Sequence, residues 1–467
     1  MKRHADPGDM DDAQNAHNPV SFRTLVLMLL LLATVLVRPG SALAIGEGRP
    51  GVSPAEAFQE ARRALRSGDE RDAVDLFRIA WTDPEHRRAA AQALRDMELA
   101  GRFRPLPDES KLRVLLKELD PGFSRHETRN FVILSDLPAS RVRTIGTDME
   151  RARDELMKLG DRLSLSPIPH AEKLVAVIFE QHAAYASFAA RVDNIDPGWI
   201  AGYYTLGANR VVLYDDLTGP AYTRAVEDVQ RRHQPAKQSK VREFSEGPDA
   251  IAVAEASRRA ATLRETLRSR AETYFVAKSV HETVHLLAFN TGIQRPDRVY
   301  PLWLSEGLAL SFETDRTDRP FGPAHPFAER EEALAEGFEN GRLLDWGRVV
   351  SFLAPPSDQG EIDLFYAQSY ALFSHLAQRR PEQLGAYFRA IELLRWGIRS
   401  EEQALALFTA HFGRPADVAA GFMAGGAEAR YANRRSSGRR PDRAGVGAEA
   451  VGQRREVEGP LPSAGRR

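Results

Sequence analysis

Every run in this chain that reads as β-strand falls between residues 130 and 214, and from Ala250 onward the pattern is helical almost throughout. Asn130–Ser135 (NFVILS) and Lys173–Phe179 (KLVAVIF) are short, nearly unbroken apolar runs of the kind that fill a strand buried on both faces. Gly202-Tyr203-Tyr204 and Arg210–Tyr214 (RVVLY) read as a hairpin of two further strands. Between the first two runs, Val142, Ile145, Met149, Ala152, Leu156 and Leu159 fall on one helical face. Strands gathered in one part of the chain and helices in another predict an α+β domain: a small mixed sheet followed by helices.

The main domain is expected over residues 130–425, with a polar, solvated surface insertion at 217–248. Ahead of it, Ser53-Pro54-Ala55-Glu56 is a capping box with proline at the first helical position. The apolar stripe Phe58, Ala61, Ala64, Leu65 follows. Gly68-Asp69 breaks it, and Ala73, Leu76, Phe77 and Ala80 resume the helical spacing. Residues 50–104 therefore read as a TPR-like helical segment, with a third helix near Ala89–Leu99. One such unit is too short for a solenoid, so it serves either as a cap packed on the main domain or as a seat for a protein partner. Residues 105–129 read as a connector with some helical content. Residues 426–467, rich in Arg, Gly and Pro, read as a disordered tail.

Thr24–Val37 (TLVLMLLLLATVLV) is uncharged and apolar but shorter than the ~20 residues of a spanning helix. Arg38-Pro39-Gly40 and the A-x-A pattern Ala42-Leu43-Ala44 follow it. Residues 1–44 are thus expected to be a signal peptide cut after Ala44 or an uncleaved membrane anchor, and the protein to be exported: periplasmic, extracellular or anchored in the cell envelope. Lys plus Arg number 64 against 65 for Asp plus Glu, a net charge of −1. This gives no general attraction to nucleic acid, and no nucleic-acid partner is expected. A membrane contact is expected only through the N-terminal apolar segment. Cysteine is absent, so any metal site must use His, Asp or Glu.

Such a set occurs in Val276–Gly292, VAKSVHETVHLLAFNTG. On a helix, His281 and His285 stand one turn apart on the same face and can present two imidazoles to one ion. Glu282, beside them, is angled toward a water on that ion, the position of a general base. Tyr274, Phe275, Ala277, Val280, Val284, Leu287 and Ala288 make the helix mostly apolar, and histidines buried there without partners are costly. Gly292 ends the helix as its C′ residue. A third ligand is expected from the next element, PLWLSEGLALSFE, where Glu306 stands in an otherwise apolar helix and small Gly307 and Ala309 allow close approach to the first helix. Three protein ligands leave a fourth position open, as catalytic zinc requires.

HETVH followed by WLSEGLA resembles the gluzincin metallopeptidases. AFNTG, the stretch GWIAGYY…RVVLYD and YAQSYAL (Tyr366–Leu372) are similar to the DUF1570 group of bacterial proteins, of peptidase-MA type, over roughly Asn130–Ile391. The resemblance implies a zincin-like domain with His281, His285 and Glu306 as Zn²⁺ ligands. It further implies Glu282 as general base, a zinc-bound water as nucleophile, and a peptide or protein substrate. It also implies an oxyanion donor from a later helix, Tyr366 or Tyr370. The strand Arg210–Tyr214 is expected by analogy to pair with substrate backbone. The Gly-x-Met-Glu-Asn signature of aminopeptidases is absent. Thermolysin-like enzymes orient a ligand histidine with an aspartate four residues after the glutamate ligand. Here that position is Leu310, and Glu313 is the candidate for the task. The rival readings are a catalytically inactive binding scaffold of the cell envelope and a zinc hydrolase of non-peptide amides or esters.

Overall fold

The structure is a computed structural model that describes residues 52–196, 200–233 and 248–423. The expected signal or anchor (1–44) and tail (426–467) lie outside the described residues. Among the described residues no helix is long and apolar enough to cross a membrane. The elements below lie in one unit that ends at Ala419.

Helices α1 (Pro54–Ser67) and α2 (Glu70–Trp81) pack on each other, and α3 (Arg87–Leu99) on α2. The capping box forms as the sequence requires. The Ser53 side chain accepts from Glu56 N–H, and the Glu56 carboxylate accepts from Ser53 N–H at 2.9 Å. Gly68, at φ +83°, closes α1 in the left-handed conformation that a side chain disfavours. The far side of this helical group is spent on the rest of the molecule. Trp81 Nε1 donates to Ser166 O at 2.7 Å, Arg78 donates to Pro169 O, and Ile168 joins the core formed by Phe77, Ala80 and Trp81.

After α4 (Glu109–Leu116), β1 (Ser124–Glu127) pairs antiparallel with β2 (Phe131–Ser135). Helix α5 (Ala139–Arg162) crosses to β3 (Leu174–Phe179), parallel to β2. Helix α6 (His182–Val192) leads to β4 (Gly202–Thr205), which turns antiparallel onto β5 (Arg210–Tyr214), itself parallel to β3. The sheet order is β1-β2-β3-β5-β4. Alternation sends Val132, Leu134, Val177, Phe179, Tyr203 and Val212 to a face covered by α4 and α6. The opposite face packs against α5 and the long helix α8 (Pro248–Asn290, 43 residues).

Two sequence expectations change. The connector carries β1, which was not expected. Its SRHE is polar because the strand is a sheet edge with one exposed face, and only the partner β2 holds the apolar run. The stretch 217–248 is not mainly solvated loop in its described part. Helix α7 (Pro220–His233) buries Ala225 and Val229 against Ala260 and Leu267 of α8. The described residues that follow form helices α9 (Leu302–Leu310), α10 (Ala328–Glu339), α11 (Trp346–Ser351), α12 (Gln359–Arg379), α13 (Pro381–Leu393) and α14 (Glu401–Phe412).

Candidate metal centre

The C-terminal half of α8 runs across β4 and β5. Tyr204 stacks on Phe289 at 5.7 Å, and Asn209 and Asn290 exchange amide hydrogen bonds of 3.0 and 2.7 Å. These contacts set the rotation of the helix, so that Lys278, His281, Glu282 and His285 share one inward face. Gly292 sits at φ +80°, two residues past the helix end, as its C′ position requires.

Helix α9 delivers Glu306 to the same point. His281 Nε2 and His285 Nε2 stand 3.2 Å apart, and Glu306 Oε2 lies 3.5 Å from the first and 3.8 Å from the second. All three residues are buried, Glu306 with no exposed surface. Ligand atoms ~2.0–2.2 Å from one tetrahedral ion stand ~3.3–3.6 Å from each other. The edges of the observed triangle, 3.2, 3.5 and 3.8 Å, lie close to that spacing. Neither oxygen of Glu306 meets a hydrogen-bond donor, and neither does Glu282 Oε2. Orphaned carboxylate oxygens in a closed interior are rare and costly, and a cation removes that cost. The residues present therefore fit a metal ion.

The electrostatics point the same way. Burial pulls the His281 imidazole down, but the carboxylates of Glu306 and Glu313 outweigh it and hold it up at about 9. Burial depresses His285. Burial acts to raise Glu306, yet the charge of His285 and the nearness of both imidazoles hold it at about 2. The centre is arranged to keep positive charge between the three side chains. Glu282 is pushed up to about 8 by burial and by the charge of Glu306, against the pull of His281, Lys278 and the Tyr204 backbone.

The next layer is equally closed. His281 Nδ1 lies 2.9 Å from Glu313 Oε1, and Glu313 takes a two-pronged contact from Arg330, at 2.7 and 2.9 Å. Glu313 thus occupies the orienting place that Leu310 cannot fill. Arg330 gave no signal in the sequence, because AEREEALAE reads as a solvated helix face, yet Arg330 is buried. Lys278, one turn before Glu282, was likewise missed. Its Nζ lies 2.9 Å from both Asp216 Oδ2 and Tyr214 O, pinning the loop after β5 to the helix. A lysine inside so apolar a stretch was the available clue.

The tyrosines, strand β5 and Gly307 are placed as follows. Tyr370 uses its hydroxyl to accept the Phe327 N–H at 3.0 Å, which holds the start of α10 and so Arg330. Tyr366 is buried on α12, its ring against Phe365, and adds to the electrostatic surroundings of Arg330. Strand β5 cannot pair with a substrate, because β3 and β4 take up both of its edges; β4 is the edge strand on this side. Gly307 does not serve the approach of α9 to α8. A Cβ there would stand 2.6 Å from Ser369 O and 2.7 Å from Phe373 Cβ, so the glycine lets α12 close on α9.

No curated protein matches the chain. Residues 275–326, which hold both histidines, Glu282, Glu306 and Glu313, match a family described as a protein of unknown function, DUF1570.

Proposed function

We propose that this protein is an exported zinc-dependent metallopeptidase of gluzincin type with a zincin-like domain, acting on peptide bonds. The observation that carries this reading is the buried triangle of His281 Nε2, His285 Nε2 and Glu306 Oε2 with both Glu306 oxygens lacking donors. Two imidazoles and one carboxylate, with no thiolate, form the donor set of catalytic rather than structural zinc. When bound, zinc supplies Lewis acidity to a carbonyl and lowers the pKa of water.

The chain's own residues divide the remaining work. Glu313 accepts the Nδ1 proton of His281, which turns the Nε2 lone pair toward the centre. Glu282, whose Oε2 has no other partner, takes a proton from the attacking water and passes it to the leaving amine. Tyr366 is assigned as donor to the oxyanion, and Tyr370 as a positioning residue behind Arg330. The three N-terminal helices act as a cap, since the face bearing Arg78 and Trp81 is already occupied. Export rests on the apolar run and Ala42-Leu43-Ala44, and a mature N-terminus near Ile45 tests it.

The deciding experiment measures zinc content and hydrolysis of an unstructured protein for wild type and Glu282→Gln. About one zinc per chain with hydrolysis in the wild type alone supports the reading. Zinc without turnover assigns the chain as a binding scaffold, and turnover of simple esters or amides but not peptides assigns it as a different hydrolase. Folded protein that refuses zinc overturns the metal centre.

A further inference from the structure

The segment that joins the two ligand-bearing helices, α8 and α9, begins with an elbow, Thr291–Gln294, to which the proposed chemistry gives no task. Thr291 and Gln294 expose no surface, and Ile293 almost none. Left-handed Gly292 turns the chain back onto the helix end. Thr291 N–H donates to Leu287 O at 2.8 Å, and Gln294 N–H donates to Ala288 O at 2.9 Å.

Elements distant in sequence hold the elbow from two sides. On one side stand the N-terminal helices. A Cβ on Gly292 would lie 2.6 Å from Trp81 Cζ2, so the indole rests directly on this backbone. Trp81 is fixed in turn: its Nε1 donates to Ser166 O at 2.7 Å, and the Arg87 guanidinium covers its ring at 4.7 Å. Ile168 N–H, in the same core as Trp81, donates to Thr291 O at 3.0 Å. On the other side Gln294 Nε2 donates to Ser305 Oγ at 2.7 Å, a buried contact. Ser305 directly precedes Glu306 on α9, a helix of nine residues. Removing either partner leaves the other polar group buried and unmatched. A short helix passes such a shift to its neighbouring residue, and a metal site needs its ligands held to within ~0.5 Å.

We propose that Gln294 and Trp81 are positioning residues of the metal centre: the N-terminal helices brace the elbow, and the elbow sets where α9 presents Glu306. This inference rests on the metal centre proposed above, not on any hydrolytic activity. In the full-length protein, Gln294→Met removes the amide with little change of volume, and Ser305→Ala removes the hydroxyl that it meets. Each is expected to weaken zinc binding by about tenfold or more in a competition titration, and to change the visible spectrum of the cobalt(II)-loaded protein. The double variant is expected to lose little more than either single one, because all three break the same bond. Trp81→Leu is expected to move both readouts in the same direction. Leu94→Ala, fully buried in the core of the same N-terminal helices, is expected to lower the urea midpoint and leave both readouts unchanged. Wild-type affinity and spectrum in Gln294→Met and Ser305→Ala overturn the proposal. Losses in Leu94→Ala as large as in Gln294→Met also overturn it, since they would follow general stability. Wild-type values in folded Trp81→Leu overturn the part given to the N-terminal helices. A folded wild type that takes up neither zinc nor cobalt overturns the metal centre itself, and this inference with it.

Discussion

Glu282, Glu306 and Glu313 are chemically identical and all buried, yet their surroundings divide them into different tasks. Glu306 meets two imidazoles and no donor, Glu313 meets an imidazole and a guanidinium, and Glu282 has an oxygen that meets nothing. Under the proposed function, Glu282→Gln keeps the shape and removes the basicity. Turnover is expected to fall by on the order of 10²–10⁴-fold, with zinc content and melting temperature nearly unchanged. Glu306→Gln is expected to lose zinc along with activity, which metal analysis after dialysis distinguishes. Glu313→Gln is expected to weaken zinc binding by about 10–100-fold in a competition titration. It should also lower thermal stability, since Arg330 is left buried without its charge partner. If Glu282→Gln releases the metal, or leaves hydrolysis intact, the roles assigned along this helix are wrong.

At the scale of elements, the centre depends on how closely α9 is held. Helix propensity alone favours Ala over Gly by ~1 kcal/mol. At Gly307, however, the new methyl would meet the Ser369 backbone carbonyl, which cannot swing aside as a side chain would. Gly307→Ala is therefore expected to destabilise by about 1–3 kcal/mol in urea unfolding, the opposite sign from propensity. It should also loosen metal binding, because Glu306 is the preceding residue. An unchanged or raised urea midpoint would show that α12 can yield at this point.

For the whole molecule, the N-terminal helices and the sheet domain meet around the Ser164–His170 segment. His170 is buried there, with Nε2 3.3 Å from Asn130 O. Burial first, then the charges of Arg153 and Arg78, hold its pKa well below the ordinary histidine value. Folded His170 thus stays neutral where an unfolded histidine, with a pKa of ~6.5, takes up a proton. This contribution leaves stability unaffected above about pH 7 and reduces it as pH falls through the unfolded value. Urea midpoints measured at about pH 7.5 and about pH 5.5 should drop more in wild type than in His170→Gln, which cannot bind the proton. Equal drops would move the acid sensitivity to other groups.

What the sequence by itself determined is what local backbone geometry dictates. A helix repeats every 3.6 residues, so four residues of spacing put His281 and His285 on one face whatever the rest of the chain does. The capping box at Ser53, the left-handed Gly292 and the four apolar strand runs follow from neighbours only a few residues away. Only the tertiary structure decided which groups from distant elements complete the centre. Glu306 stood out in the sequence as an acid in an apolar helix and Glu313 as the candidate to orient a ligand histidine; Lys278 offered a clue of the same kind, a charge in an apolar stretch, whereas Arg330 offered none, because a buried salt bridge and a surface one use the same letters. Strand β1 and helix α7 were hidden for a related reason: each shows only one face to the protein and is stabilised by its partner. The place of β5 inside the sheet and the reason for Gly307 lie in the packing of elements far apart in the chain. No local spacing encodes that packing, and side-chain shape and the need to satisfy buried charge select it.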